Sequence, residues 1–145
     1  MSIEVQSVTK SYETQLALNE ISFSASKGEV IGFLGPNGAG KSTMMKILTG
    51  FILPTKGTVF VSGINVLKNP IEAKAHIGYL PEQNPLYEDM YVKEYLQFQA
   101  SIFKVPKEAI ETVVNTVGLK PEVHKKIGQL SKGYQQRVGI AAAII

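Results

Sequence analysis

The chain has 145 residues, 44% of them hydrophobic, enough for one globular domain with a substantial core. Its net charge of +3 rests on 15 basic residues scattered along the sequence, too mild and too dispersed to point to nucleic acid. The absence of cysteine excludes disulfides and thiolate metal sites, and no run approaches the ~18 apolar residues of a membrane span.

The first ten residues, "MSIEVQSVTK", lack the apolar stretch of a signal peptide, so a soluble cytoplasmic domain is expected. Ile3 and Val5, then Ile21, Phe23 and Ala25, alternate with polar residues as half-buried strands do. "SKGE" (26–29) is a turn. "EVIGFL" (29–34) is nearly continuous in apolar residues, the pattern of a strand covered on both faces. A helix follows, with Met44, Ile47, Leu48 and Phe51 on one side and Gly50 near its end. "GTVFVSG" (57–63) is a glycine-bounded strand, and "IGYLPE" (77–82) a shorter one.

Helices dominate from residue 92. Val92, Tyr95, Leu96 and Phe103 share one helical face. Pro106 opens a second helix with Ile110, Val113, Val114 and Val117 at helical spacing, and Gly118 caps it. A last helix, from Ser131, lines up Val138, Ala141, Ala142 and Ile145 as an apolar stripe. It meets no stop signal and leaves no later segment of this chain to pack on. His76 and His124 stand alone without ligand spacing and read as surface or boundary residues.

"GPNGAGKST" (35–43) matches G-x-x-x-x-G-K-[ST] and sits between an expected buried strand and a helix, the context a P-loop needs. Gly35, Pro36, Asn37, Gly38, Ala39 and Gly40 supply backbone N–H groups that can converge on phosphate oxygens without side chains in the way. The helix start adds its partial positive charge. Lys41 reaches the β- and γ-phosphates and the Ser42 hydroxyl binds Mg²⁺, with Thr43 completing the nucleotide-binding stretch. A second anion site is drawn by "LSKGYQQR" (130–137). There Ser131 is a potential N-cap, and the amides of Lys132, Gly133 and Tyr134 would face outward. Taken alone, that stretch is more simply an ordinary capped helix.

These stretches together resemble the nucleotide-binding subunit of an ABC transporter, over the whole chain. "LSKGYQQR" is similar to the family signature LSGGQ and its basic helix, with Lys132 and Tyr134 as departures. "VTKSYETQLALNEISFSASKGEVIGFLGPNGAGKST" is similar to the family's N-terminal run. The resemblance implies that Tyr12, otherwise a strand-end tyrosine, stacks on adenine. It also implies that 131–135, through Ser131, Lys132, Gly133, Tyr134 and Gln135, bind the ATP of a partner subunit. In the family a glutamine after the "YLP"-type strand senses Mg²⁺. Here alignment puts Glu82 at that position and Gln83 one residue late, and Glu82 is favoured because a carboxylate binds Mg²⁺ directly. "NPLYEDMYV" (84–92) would line a groove for the transmembrane partner.

The implied fold is α/β: a P-loop NTPase core of ABC ATPase type with an N-terminal antiparallel β-subdomain and a small helical subdomain. Residues 1–89 would form the β and P-loop portion, 90–138 the helical subdomain with the signature, and 139–145 the return towards the core. All three would belong to a single ATP-binding domain. The family's Walker B aspartate, catalytic glutamate and switch histidine have no counterpart in these 145 residues, so a truncated domain without catalytic residues is expected. The function implied is that of an exporter-type subunit, cytoplasmic and peripheral to the membrane, binding ATP and Mg²⁺. Its partners would be a second copy and a transmembrane permease, with no nucleic acid and no membrane insertion of its own. The alternatives are a soluble ABC-type ATPase acting on ribosomes or DNA, and a P-loop kinase or GTPase in which "LSKGYQQR" is coincidence.

Overall fold

The alternating pattern near the N-terminus folds as a long hairpin in a computed structural model that describes residues 2–145. Strands β1 (Ile3–Tyr12) and β2 (Gln15–Ala25) pair antiparallel, with Ile3 opposite Ala25 and Tyr12 opposite Gln15. β3 (Lys56–Val61) joins the other edge of β1, and β4 (Ile64–Asn65) pairs with β3, giving an antiparallel order β2-β1-β3-β4. Two helices belong to the same unit, Met1–Ile77: α1 (Lys41–Leu48) and the short α2 (Pro70–Lys74). Met44, Ile47 and Leu48 of α1 bury against Val5, Val8, Leu18, Val59 and Val61 of the sheet. Each such side chain contributes about 1.5–3 kcal/mol through removal from water.

The expected strand at 29–34 does not form. The segment pairs with nothing, and Val30 and Leu34 are 99% and 94% exposed. An apolar run specifies burial but supplies no hydrogen-bonding neighbour, and the four paired strands pair antiparallel among themselves. Only Phe33 is drawn inward, its ring 5.1 Å from that of Phe23. Ser26–Glu29 is the expected turn, closed by the Glu29 carboxylate accepting from the Ser26 N–H at 2.7 Å. Phe51 lies beyond the end of α1 and is 75% exposed, because the chain leaves the helix at Gly50 before reaching it.

A second unit, Gly78–Ile145, contains α3 (Val92–Ile102), α4 (Lys107–Thr116) and α5 (Lys132–Ile144), with 3-10 turns at Lys120–Glu122 and Ile127–Gln129. Its core is built from Val92, Leu96, Ile110, Leu119, Ile127 and Val138. Phe103, expected on the buried face of α3, follows the helix's last residue and is about half exposed.

The stripe on α5 is not left bare. Val138 and Ala141 are fully buried, and Ala142 and Ile145 pack against the same cluster, because α3 and α4 already present an apolar face. Residues 139–145 thus contribute to the helical unit's own core. The short run 77–82 forms no strand either. Gly78 comes so close to the Ala143 carbonyl that a Cβ there would collide with it, and Leu80 lies on Gly139 of α5. Compactness divides the chain at Ile77/Gly78, ahead of the boundary at 89/90 that the sequence suggests.

Candidate nucleotide-binding site

The loop 35–40 runs directly into α1, and Gly40 is the helix's N-cap residue, at φ 83°. A side chain there would strike the Ala17 carbonyl and approach Leu18 Cδ2 at 2.7 Å, so α1 begins hard against β2. Among the described residues no side chain caps this helix. Its first-turn amides are therefore donors without an intrahelical acceptor. Met44 N–H is the first to find one, donating to the Gly40 carbonyl at 2.9 Å. Lys41 folds back over the loop and donates to the Gly35 and Pro36 carbonyls, each at 2.7 Å. These two contacts hold the ammonium at the mouth of the loop, with one of its three N–H bonds left for another acceptor. Ser42 is exposed at the second helical position, its hydroxyl open to solvent.

The hairpin brings Tyr12 to the same region. Lys10 pairs with Leu18, which touches Gly40, and Tyr12 stands two residues further along β1 opposite Gln15. Tyr12 is 45% exposed. The end of β1 is braced from the connection after α1: Thr55 N–H donates to the Thr9 carbonyl at 2.8 Å, and Ser11 N–H to Thr55 Oγ1 at 3.0 Å. One unit thus presents a donor-rich helix start, an ammonium and a half-exposed aromatic ring. That donor set fits a nucleoside polyphosphate, the phosphates at the loop and an apolar base face at the ring.

The other expected residues belong to the second unit. Glu82 and Gln83 are exposed on the segment before α3. Asn84 fixes that segment to α5, its Nδ2 donating to the Gln135 carbonyl at 2.8 Å over the bare surface of Gly139. Among the described residues no three His, Cys, Asp or Glu converge as a metal nest.

Ser131 caps α5, its Oγ accepting from Tyr134 N–H at 3.4 Å. Gln135 is held from within by a bond to the Ile127 carbonyl, and Arg137 lies over the Tyr134 ring while reaching the carbonyls of Val117 and Gly118. Lys132 and Gly133 are exposed. A Cβ on Gly133 would meet only Ser131 Oγ, at 4.0 Å. Internal packing therefore explains the glycine at 139 and not the one at 133. Arg137 falls within the run 130–137 quoted above, whereas Asn84 and Gly139 carry no motif of their own and are not foreseeable from the sequence.

Residues 18–145 match the sequence model of the family described as ABC transporter. The chain is 37% identical over 144 residues to the uncharacterized ABC transporter ATP-binding protein YhcH of Bacillus subtilis (strain 168). It has the same identity, over the same length, to the bacitracin transport ATP-binding protein BcrA of Bacillus licheniformis. Each match covers 99% of this chain and 47% of the relative, so the chain spans about half the length of these curated relatives. Among solved structures, the dimeric structure of MJ0796, a bacterial ABC transporter cassette, superimposes with a TM-score of 0.82 at 28% identity. That match covers 98% of this chain and 68% of the other.

Proposed function

The chain belongs to the ABC transporter ATP-binding domain family, with the fold of an ABC-type P-loop ATPase, and on that premise we propose that it is part of the ATP-binding subunit of an exporter-type transporter. In this reading ATP binds with its phosphates on 35–43 and its adenine on Tyr12. The signature residues 131–135 of a second copy close over the γ-phosphate, and a transmembrane permease uses the closure. The assembly would work at the cytoplasmic face of the membrane; no described helix is long and apolar enough to cross one. That MJ0796 is a dimeric cassette and BcrA a bacitracin transport protein supports the dimer and the transport role by kinship.

The observation that carries the reading is the geometry at Gly40. The αL glycine seats α1 on β2, leaves the helix's first amides free, and sets the Lys41 ammonium over the loop beside the hairpin that bears Tyr12. Each group then has a task this chain can perform. The amides and Lys41 hold phosphate oxygens, and Ser42 would supply a hydroxyl oxygen to Mg²⁺, which when bound neutralises phosphate charge. Gly133 supports the second half: an exposed first-turn glycine without an internal packing reason leaves backbone open to a partner's phosphate. Residues 1–145 contain one aspartate, Asp89, on an exposed segment of the second unit. They are proposed to bind ATP without hydrolysing it by themselves.

Isothermal calorimetry with Mg-ATP and Mg-GTP tests the reading. Lys41→Ala should weaken ATP by about 2–4 kcal/mol, the scale for losing a charge-assisted contact in a partly enclosed site. Equal ATP affinities for the two proteins would sink the P-loop assignment, and a marked GTP preference would favour the GTPase alternative.

A further inference from the structure

Tyr12 is 45% exposed, and a cation lies over its ring. The Lys10 ammonium lies 4.9 Å from the ring centroid. Residues two apart on a strand project to the same side, which is why β1 can deliver both. Lys10 is not a loose surface cation: its Nζ also donates to the Leu53 carbonyl at 2.9 Å, within the connection between α1 and β3. Leu53 follows Phe51 and Ile52, whose N–H groups both donate to the Lys46 carbonyl of α1. A continuous set of contacts thus runs from the helix under the phosphate loop, through Leu53 and Lys10, to the tyrosine ring.

We propose that Lys10 is a positioning residue for base recognition, closing one face of Tyr12 so that a purine stacks on the other. The inference rests on the reading of Tyr12 as the base platform. Its physical content is twofold. The ammonium is attracted to the negative ring face and so restricts the ring to one orientation. It also draws π-electron density towards itself, which lessens repulsion between the opposite face and the π-cloud of a stacked base. Both effects act on the base and neither on the phosphates. Lys10 is therefore a determinant of how much of the affinity comes from the nucleoside rather than the polyphosphate.

The test compares Mg-ATP with Mg-tripolyphosphate, which lacks a base, by calorimetry on the native protein, Lys10→Met, Lys10→Arg and Tyr12→Ala. Lys10→Met keeps the length and apolar stem and removes the charge. It should lower ATP affinity roughly three- to fivefold and leave tripolyphosphate unchanged. Lys10→Arg, which preserves the cation over the ring, should restore ATP affinity. Tyr12→Ala should bring ATP close to tripolyphosphate. If Tyr12→Ala leaves the ratio of the two affinities as it was, Tyr12 is not the base platform and the underlying reading fails. If Tyr12→Ala collapses the ratio while Lys10→Met does not change it, the role given to Lys10 is overturned. A loss for both ligands in Lys10→Met would also overturn it, showing that the lysine acts on the phosphates or on the fold.

Discussion

Gly40→Ala separates two kinds of damage that a P-loop glycine can suffer. Its backbone lies at φ 83°, and an L-residue there costs about 1–2 kcal/mol from the crowding of Cβ and carbonyl. The new methyl would also collide with the Ala17 carbonyl, which is backbone and cannot rotate away, and with Leu18 Cδ2. Relieving an intrusion of that kind by shifting packed elements costs about 1–3 kcal/mol. Together the two make about 2–5 kcal/mol, a large part of the ~5–15 kcal/mol that stabilises a small domain.

Gly38→Ala is the internal control. Gly38 has nearly the same backbone angle, φ 85°, but a Cβ there meets nothing within 4 Å. It should suffer the conformational cost alone. The difference between the two variants, about 1–3 kcal/mol, therefore isolates the seating of α1 on β2. With a urea dependence of about 2 kcal/mol per molar, the two unfolding midpoints should stand roughly 0.5–1.5 M apart. Circular dichroism would follow the midpoints, and hydrogen exchange over 15–25 and 41–48 would locate the loosened contact. Indistinguishable midpoints would refute the claim that Gly40 is required by close approach rather than by backbone angle.

Residues 1–145 should show ATP turnover near background, because phosphoryl transfer needs a metal-holding aspartate that Asp89 does not replace; hydrolysis comparable with a full-length relative would overturn this. The same polypeptide should self-associate without nucleotide, since Val30 and Leu34 each forgo about 1.5–3 kcal/mol while exposed on an unpaired segment; light scattering from a monodisperse monomer would contradict it. Alkaline titration should destabilise the helical unit. Burial raises the phenol of Tyr95 above its ordinary 10.0, partly offset by a hydrogen bond from Gln99, with Tyr87 nearby adding to the rise. The proton is thus held more tightly in the folded state, so the Tyr95 contribution is complete below pH ~10 and is lost as pH rises through the folded value. Tyr95→Phe should flatten the fall in melting temperature above pH 10, and an unchanged slope would remove Tyr95 from the account.

The parts legible in the sequence are those where a local pattern has a local consequence. Alternation at Ile3, Val5, Ile21 and Phe23 gave a hairpin because period two is enough to define a half-buried face. The helix from Lys41 was legible because Met44, Ile47 and Leu48 share one helical face, and the cap at Ser131 because cap chemistry acts within one turn. The run 29–34 misled for the opposite reason. Apolarity says that a segment is to be covered, but pairing depends on a partner elsewhere, and the described residues provide none. The α5 stripe misled in the reverse sense: it needs no later segment, because α3 and α4 already present the apolar face that it covers.

The glycines of α5 carry this distinction into the site itself. Gly133 and Gly139 lie in one helix and are equivalent to any propensity scale, each disfavoured against alanine by up to about 1 kcal/mol. At Gly139 a Cβ would run into Asn84 and Leu80 at 2.5–2.6 Å, so this glycine is explained by the chain's own packing. Asn84 then ties the segment carrying Glu82 to the carbonyl of Gln135, one residue beyond the tyrosine that Ser131 caps. At Gly133 no such neighbour exists, and its smallness is left for something outside the chain. On the proposed reading, one glycine serves the helix's own packing and the other leaves its start open to a partner's phosphate. Placing Ala at both positions separates the two roles: Gly139→Ala should loosen 78–84 in hydrogen exchange, while Gly133→Ala should leave that protection intact. Loss of protection in Gly133→Ala would mean that this glycine, too, serves the chain's own packing.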